Sequence, residues 1–334
     1  MERNNLANTG KARAYTNIAL IKYWGKKDDD LILPMNSSLS LTLDAFYTET
    51  TVHFDETLKE DQFYLNQTLQ NPTQTKKTTR FLDLVRQEAG ITTPAIIEST
   101  NYVPTAAGLA SSASGFAALA GAASLASGLE LDSQALSRLA RRGSGSATRS
   151  IYGGFVEWQM GSNDLDSYGV PIDDASSWDL AMLFVVVNQK EKVISSRDGM
   201  KQTVATSPFY SGWLESTAKD LITIKEAIKE HDFQKLGETM ESNGLKMHAT
   251  MLGATPPFTY WEPDSIQAMQ FVAELRQEGI PCYFTMDAGP NVKVLCHKSD
   301  LPKIKAKFAT IFQETQLITA YPGPGIQLSK GDFY

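Results

Sequence analysis

The chain has 334 residues, of which 42% are hydrophobic and 21% are charged, and its formal net charge is −7 at pH 7. These values are ordinary for a globular protein, and the length allows a large core in one or two domains. The acidic balance, with Lys and Arg scattered along the chain, argues against a nucleic-acid-binding surface. The sequence has no run close to 18 apolar residues and no signal-peptide core at its N-terminus, so we expect neither a membrane span nor a secretory leader.

The cysteines and histidines indicate reduced thiols and no zinc centre. Cys282 and Cys296 each lie inside an apolar, strand-like run, as expected for free thiols in a cytoplasmic protein. The four histidines are far apart in the sequence, without the spacing of zinc ligands.

The first predicted elements are strands. Ser37–Asp44 alternates apolar and polar residues, which predicts a half-buried strand. Tyr47–Phe54 predicts a second strand, and the acidic turn after it suggests antiparallel pairing. Helical spacing predicts a helix over Thr79–Ala89, and Ala95–Thr100 is typical of a strand.

A glycine- and serine-rich segment, Pro104–Gly115, then leads into an alanine-rich helix, Phe116–Ala126. A helix N-terminus presents unpaired N–H groups and the positive end of a dipole, which suit a phosphate. Gly108 would allow close approach of an anion, and Ser111 and Ser112 offer hydroxyls for phosphate oxygens or Mg²⁺. The spacing matches neither common nucleotide-binding loop. The alternative is a serine-capped helix of the core.

In the middle of the chain, Asp132 is typical of an N-cap for a helix that ends at Gly143. Ile151–Trp158 predicts a strand, and the polar stretch Gly161–Asp179 predicts a surface loop. Leu180–Val187 is apolar throughout, which predicts a buried strand.

The last third of the chain is richer in helix. Its predicted elements are helices through 214–228 and 266–275, strands Cys282–Met286 and Val292–His297, and a helix over Leu301–Phe312. The whole pattern predicts an α+β protein with a boundary near residues 180–190.

Lys22 is a charged residue in an apolar part of the segment Ala14–Lys27. It follows the apolar run Ile18–Ile21, and a lysine buried there would be costly without a partner. Tyr23 and Lys26 add a hydroxyl and a second cation. The alternative is an edge-strand lysine that extends to water.

Three further segments carry groups suited to anionic ligands. Gly143–Arg149 combines serine hydroxyls with a guanidinium that suits a carboxylate or phosphate, or else is a helix end with a polar loop. Ser195–Met200 repeats the hydroxyl and guanidinium pair, or is a solvated turn. Asp287 follows a predicted strand, where it is either a turn former or a carboxylate held on a rigid element.

Together these segments resemble the mevalonate diphosphate decarboxylases of the GHMP kinase superfamily. The matching segments, in that family's order, are Asn17–Lys26, Pro104–Ala113, Gly143–Ser146 with Arg149–Gly154, and Met286–Asn291. The resemblance implies an α+β fold with a ribosomal-S5-like N-terminal domain over 1–185 and a ferredoxin-like C-terminal domain over 186–334. The active site would lie between the domains.

The family's reaction would be the ATP- and Mg²⁺-dependent conversion of (R)-mevalonate 5-diphosphate into isopentenyl diphosphate, CO₂, ADP and phosphate. The route implied by the resemblance passes through a 3-phosphorylated intermediate. It also implies a homodimer, while the composition argues against nucleic-acid and membrane binding and the two cysteines favour the cytoplasm.

The resemblance assigns residue roles as well. Asp287 would face the C3 hydroxyl as catalytic base, with Lys22 close by, and Arg149 would hold the substrate carboxylate. The substrate would also contact Tyr23, Lys26, Ser144, Gly145, Ser146, Ser196, Arg197 and Met200. The nucleotide would contact Asn17, Ser99, Ala107, Gly108, Leu109, Ala110, Ser111, Ser112 and Lys192, with Ser111 and Ser112 on the metal.

Three other functions stay open on the sequence. A related kinase would stop at the phosphorylated product, although it would not need a carboxylate clamp. A related decarboxylase would act on the 5-monophosphate. A non-catalytic nucleic-acid-binding module could share the S5-like fold, but the net charge of −7 argues against it.

Overall fold

The structure, a computed structural model, describes residues 8–102, 111–188, 194–331 and 333. Within these residues the chain forms two main sheets with helices packed on them. The predicted α+β class is therefore confirmed.

The larger sheet has eight strands among the described residues. They are β1 (Thr9–Ile21), β4 (Ser38–Phe54), β5 (Gln62–Leu65), β6 (Thr68–Leu69), β7 (Ala95–Tyr102), β8 (Phe155–Trp158), β9 (Gly169–Asp173) and β14 (Gln327–Ser329). The strand order is β14-β1-β4-β7-β5-β6, with β8 between β4 and β9. The pairs are antiparallel except β5 with β7. A small hairpin, β2 (Lys26–Asp28) with β3 (Leu33–Pro34), stands apart from this sheet.

The smaller sheet is antiparallel and has the order β11-β12-β10-β13. Its strands are β10 (Leu180–Val185), β11 (Cys282–Met286), β12 (Val292–His297) and β13 (Leu317–Ala320). The helices of the described chain are α1 (Pro72–Ala89), α2 (Ser111–Ala126), α3 (Ser133–Gly143), α4 (Ser196–Thr206), α5 (Tyr210–Glu230), α6 (Phe233–Leu252), α7 (Pro263–Gln277) and α8 (Leu301–Phe308). Two 3₁₀ helices cover Gly145–Ile151 and Glu314–Gln316.

Small side chains bring α2 close to the larger sheet. The alanines of α2 are buried in one core with Ala12, Ala14 and Val52 of the strands. A Cβ at Gly10 of β1 would lie 2.3 Å from the carbonyl oxygen of Ala122, so only glycine fits there. The alanine-rich helix is thus a core element, and its N-terminal end faces the functional cavity described below.

The smaller sheet is covered on both faces, which explains the continuous apolar sequence of β10. Met182 and Phe184 face a core shared with α5, α6 and the larger sheet. Leu183 and Val185 face the opposite core, together with residues of α7 and α8. Side chains of a strand alternate between faces, so a strand buried on both sides is apolar at every position.

The prediction of two separate strands before residue 55 is wrong. Ser38–Phe54 is one strand, and its pairing with β1 shifts between Asn17↔Thr42 and Tyr15↔Tyr47. Four residues of β4 therefore lie opposite Thr16, which is a bulge. A bulge interrupts the alternation of side chains without ending the strand, so it resembles a strand break in the sequence.

Several predicted boundaries also change. The helix predicted over Thr79–Ala89 begins at Pro72, capped by Asn71, whereas the last predicted helix already ends at Phe308. The predicted loop Gly161–Asp179 contains β9. The strand predicted from Ile151 starts only at Phe155, because a 3₁₀ helix occupies the preceding residues. The N-cap at Asp132 is confirmed, since its side chain accepts a hydrogen bond from Ala135 N.

No helix in the described part of the chain combines the length and the hydropathy needed to cross a membrane.

Candidate active site

A cavity of about 280 Å³ opens between the two sheets. Its walls come from the end of β1, the start of the 3₁₀ helix, the first turn of α4, the N-terminal end of α2 and the turn between β11 and β12. The predicted site residues that line it are Asn17, Lys22, Tyr23, Lys26, Ser112, Ser144, Gly145, Ser146, Arg149, Ser196, Arg197, Met200 and Asp287. Residues up to 270 positions apart in the sequence thus meet at one place.

The remaining predicted residues are elsewhere or outside the described chain. Ser99 lies on β7, hydrogen-bonded to Thr50 at 2.7 Å, and borders a different cavity. The predicted nucleotide contacts Ala107, Gly108, Leu109, Ala110 and Lys192, and the side chain of Ser111, lie outside the described residues.

Two lysines hold the carboxylate of Asp287. Lys22 donates to its Oδ1 at 2.7 Å, and the Nζ of Lys293 lies 3.1 Å from its Oδ2. Lys22 is 1% exposed and also donates to the carbonyl of Ala19. The alternative of an edge-strand lysine extending to water is therefore wrong. Because the Asp287 side chain is 38% exposed, its carboxylate faces the cavity while both oxygens are ion-paired.

Burial and charge act in opposite directions on these groups. Burial of Asp287 opposes its ionisation, but Lys22 and Lys293 outweigh this effect and hold the pKa of the carboxyl well below its usual range. Burial lowers the pKa of Lys22 to about 8, although Asp287 favours its charged form. At neutral pH we therefore expect an ionised Asp287 carboxylate paired with the charged form of Lys22.

Arg149 is fixed at the back of the cavity, where the residue is 2% exposed. It donates to Ser38 Oγ at 2.6 Å and to Asn17 Oδ1 at 3.3 Å. Asn17 is itself held by Ser150 and the carbonyl of Ser146. Burial lowers the pKa of Arg149 to about 10. A guanidinium has five N–H donors, so this geometry leaves donors for a ligand carboxylate or phosphate.

Hydroxyls line another wall of the cavity. The Oγ atoms of Ser112 and Ser146 lie 3.4 and 3.3 Å from the Oγ of Ser144. Tyr23 packs its ring edge against Trp158, and its buried hydroxyl has no hydrogen-bond partner among the described residues. Burial raises the pKa of Tyr23, which makes it a neutral hydrogen-bond donor. Such a wall suits the oxygens of a phosphate or diphosphate.

The cavity is strongly cationic although the chain is acidic. Its described lining carries one carboxylate, that of Asp287, and five cations: Lys22, Lys26, Lys77, Arg149 and Arg197. Charges of one sign in a cleft concentrate ligands of the opposite sign. The arrangement is thus suited to a ligand with several negative charges.

The donors at the N-terminal end of α2 also fit a magnesium ion carried by a nucleotide. Ser112 offers a hard hydroxyl oxygen there, and a helix N-terminus favours phosphate. Mg²⁺ is commonly held by substrate phosphates, waters and only one or two protein oxygens. In the described residues there is no cluster of three or more His, Cys, Asp or Glu placed to hold a metal.

Sequence reasoning missed two cations near this cavity. Lys77 comes from a polar, lysine-containing stretch of α1, which has no distinguishing pattern. Lys293 did carry a signal, because it interrupts the apolar strand Val292–His297 as Lys22 interrupts its own apolar run. An ionisable residue inside an apolar strand implies a buried partner.

Comparisons with known proteins agree with this geometry. The family model "Diphosphomevalonate decarboxylase-like N-terminal domain" matches residues 14–169, and the model "Mevalonate 5-diphosphate decarboxylase C-terminal domain" matches residues 182–327. A diphosphomevalonate decarboxylase from Candida albicans is 38% identical over 307 residues, covering 87% of this chain and 85% of its own length.

Solved structures are more similar still. The structure of MDDEF in complex with MVAPP, AMPPCP and magnesium has 62% identity and a TM-score of 0.92. A structure of the mevalonate diphosphate decarboxylase from Enterococcus faecalis, which addresses mevalonate diphosphate mediated ATP binding, has 60% identity and a TM-score of 0.91. Each alignment covers 96% of this chain and 98% of the other. With both of its halves matched by the family's domains, the chain belongs to the diphosphomevalonate decarboxylase family.

Proposed function

We infer that this chain catalyses the ATP-dependent decarboxylation of mevalonate 5-diphosphate, with Mg²⁺ bound alongside the nucleotide. The observation that carries this inference is the cavity in which a carboxylate, a buried guanidinium and a row of hydroxyls meet. The solved relative in complex with MVAPP, AMPPCP and magnesium supports the same substrates. A kinase that stops at a phosphorylated product would not need the buried guanidinium as a carboxylate clamp.

The reaction needs two stages. In the first, the C3 hydroxyl attacks the γ-phosphorus of ATP, ADP leaves, and the hydroxyl loses its proton. In the second, the C3–O bond breaks and phosphate departs with its electron pair. The bond to the carboxylate then breaks, CO₂ leaves, and the released electron pair forms the double bond of isopentenyl diphosphate. Phosphorylation comes first because a tertiary hydroxyl is a poor leaving group.

Asp287 is the group we assign to the C3 hydroxyl. Its carboxylate is ionised, partly exposed to the cavity, and held at both oxygens, so it can accept a hydrogen bond from the hydroxyl and take its proton as the new O–P bond forms. Lys22 and Lys293 hold this group in place. Like other phosphoryl transfers, this one requires mainly that the reacting groups are aligned and their negative charge is neutralised.

The other predicted residues divide into two groups by position. We assign Arg149 to the substrate carboxylate, because it is the buried guanidinium next to Asp287. We assign the diphosphate to the side of Tyr23, Lys26 and Arg197, where cations and hydroxyls face the cavity. The other substrate contacts would be Ser144, Gly145, Ser146, Ser196 and Met200. The γ-phosphate and metal would lie toward Ser112, at the N-terminal end of α2.

The domain division at residue 185 stays a prediction. The pairing of β10 with β12 and β13 supports a division before residue 180, between the two matched family domains. We also propose that the protein acts as a homodimer in the cytoplasm, where the free thiols Cys282 and Cys296 would remain reduced.

The test is release of CO₂ from carboxyl-labelled substrates in the presence of ATP and Mg²⁺. Mevalonate 5-diphosphate should give CO₂ and ADP in equal amounts, while mevalonate 5-monophosphate should give far less. ADP without CO₂ would identify a kinase, and preference for the monophosphate would reassign the substrate. Omitting ATP is the control, because we expect no decarboxylation without phosphorylation.

A further inference from the structure

Lys293 is a buried lysine that the family's motif segments, as matched above, do not include. It lies on β12, where it stands opposite Thr285 of β11 and Phe184 of β10. The residue is 4% exposed, and its Nζ lies 3.1 Å from Asp287 Oδ2. Because β12 is an interior strand of the smaller sheet, paired on both sides, the lysine extends from a rigid element.

Two buried lysines for one carboxylate leave an excess of positive charge. A structural ion pair would need only one of them, and burying a second ammonium carries a desolvation cost. Lys22 is already held by Asp287 Oδ1 and by the carbonyl of Ala19. Lys293 therefore contributes something that the Lys22–Asp287 pair alone does not provide.

The geometry shows what that contribution is. Lys22, the residue that follows β1, approaches one carboxylate oxygen, and Lys293 approaches the other from β12. With a single cation, the carboxylate of a side chain that is 38% exposed could rotate about its terminal bond. With one cation on each oxygen, the plane of the carboxylate is fixed relative to the cavity.

We propose that Lys293 is a positioning residue for this reaction, which holds Asp287 Oδ2 so that the carboxylate meets the C3 hydroxyl in one orientation. This rests on the role proposed above for Asp287. It extends that role to a residue on a different strand, which would touch neither substrate nor nucleotide.

The same contact affects protonation. The charged or titratable groups around Asp287 are Lys22 just after β1, Arg149 from the 3₁₀ helix, Lys293 from β12 and His248 from α6. Removing the positive charge of Lys293 takes away one of the groups that lower the pKa of Asp287, so that pKa must rise. Because the pKa of Asp287 in wild type lies well below its usual range, this group should cause no loss of wild-type turnover down to pH 4, whereas a variant without the Lys293 charge should protonate Asp287, and so lose turnover on the acid limb of its pH profile, at a higher pH.

The test compares Lys293→Met, Lys293→Gln and Lys293→Arg with wild type in steady-state kinetics from pH 4 to 9. Methionine has a similar length but no charge and no donor. We expect it to lower kcat by about 10- to 100-fold, because misplacement of a reacting group by about 1 Å can cost about 10²-fold. The KM values should change by less than about threefold, and the acid limb should move upward.

The other two variants separate orientation from charge. Glutamine keeps an N–H donor on a slightly shorter side chain, so it should retain more turnover than methionine while showing the same upward shift of the acid limb. Arginine keeps the charge, so its acid limb should stay where wild type has it. If the methionine variant does not fold, the pH profiles of turnover for Lys293→Gln and Lys293→Arg still test the proposal.

Lys225→Met is the matched control, because Lys225 forms a 2.7 Å ion pair with Glu157 outside the cavity. It should change thermal stability at most. A kcat within twofold of wild type and an unmoved acid limb in Lys293→Met and Lys293→Gln would overturn the proposal.

Asp287→Asn distinguishes this proposal from the one on which it rests. Wild-type turnover in Asp287→Asn would reject the role of Asp287 itself. A loss of about 10²–10⁴-fold in that variant, with normal Lys293 variants, would reject only the role of Lys293.

Discussion

At the scale of single residues, the site depends on a few side chains whose chemistry cannot be replaced by charge alone. Arg149 shows this best. The residue is 2% exposed, and two nitrogens of its guanidinium already donate to Ser38 and Asn17. The remaining donors keep a fixed direction because the planar group cannot rotate without breaking those contacts.

We therefore expect Arg149→Lys to lower turnover by about 10²-fold and to weaken binding of mevalonate 5-diphosphate, although the charge is retained. A lysine cannot make two parallel hydrogen bonds to a carboxylate and keep both anchoring contacts. Steady-state kinetics and a melting curve on the same preparation provide the measurement. Arg138→Lys, at a partly exposed contact with Asp164, is the control. Turnover close to wild type would show that Arg149 does not clamp the substrate.

Ser112 lies in the first turn of α2 and lines the cavity within 3.4 Å of Ser144 Oγ. Removing one preorganised donor to a reacting group commonly costs about 10²–10³-fold in rate, so we expect Ser112→Ala to lose turnover in that range. Its thermal stability should hardly change, because the side chain is exposed.

Ser133→Ala, an exposed serine in the first turn of α3, is the matched control and should keep full turnover. If Ser112→Ala instead melts at a lower temperature and turns over normally, then Ser112 acts only as a helix-capping residue.

At the scale of secondary structure elements, the close packing of α2 on β1 places the N-terminal end of that helix at the cavity. Gly10 and Gly121 both lie in this contact, and a Cβ at either would fall within 3 Å of another atom. The contact at Gly10 is with backbone of α2, which cannot move aside as a side chain can.

Gly10→Ala should therefore lower the free energy of unfolding by at least 1–3 kcal/mol, the usual range for overpacking a core, as measured by denaturant titration. Gly212→Ala is the opposite control. Gly212 is exposed in α5, and a Cβ there meets nothing within 4 Å. Because alanine reduces the entropy of the unfolded chain, that variant should gain about 0.5–1 kcal/mol. Equal stability of the two variants would show that the contact between α2 and β1 is loose.

At the scale of the whole molecule, the two sheets share one core, and the site lies where that core ends. Met182 and Phe184 of the smaller sheet pack with Leu39 and Leu41 of the larger one. His248 of α6 is buried beside this junction, 5.4 Å from the ring of Trp261. Burial lowers its pKa to about 4, and the nearby charge of Lys22 acts in the same direction.

This histidine should make the folded protein sensitive to acid. Its pKa is depressed in the folded state, so the unfolded chain binds a proton between about pH 6.5 and 4 while the folded chain does not. This contribution to the free energy of unfolding is fully present above pH 6.5 and is lost as the pH falls toward 4. The loss amounts to about 3 kcal/mol.

His248→Phe should remove this part of the pH dependence while keeping an aromatic ring next to Trp261. Denaturant unfolding of both proteins at several pH values from 7 to 4 provides the comparison. Parallel curves for the two proteins would show that His248 does not carry the effect.

The sequence by itself determined those features that depend on short stretches of chain. The alanine-rich helix α2, the Asp132 N-cap, the strands on either side of Asp287 and the apolar strand near residue 180 all follow from local spacing and capping chemistry, although α2 begins at Ser111 and not at Phe116. The motif segments in order also pointed to the family, because each places a required chemical group on a short element.

Only the tertiary structure decided which of these groups meet. That β4 is one bulged strand depends on its pairing with β1, and no local pattern distinguishes a bulge from a break. The two cations on Asp287 are about 270 residues apart, one just after β1 and one on β12, so their contact depends on how two sheets share a core. Lys22 and Lys293 each interrupt an apolar run, which indicates that a buried partner must exist. Because the partner of a buried charge can lie far away in the sequence, only the fold shows that both lysines pair with the same carboxylate.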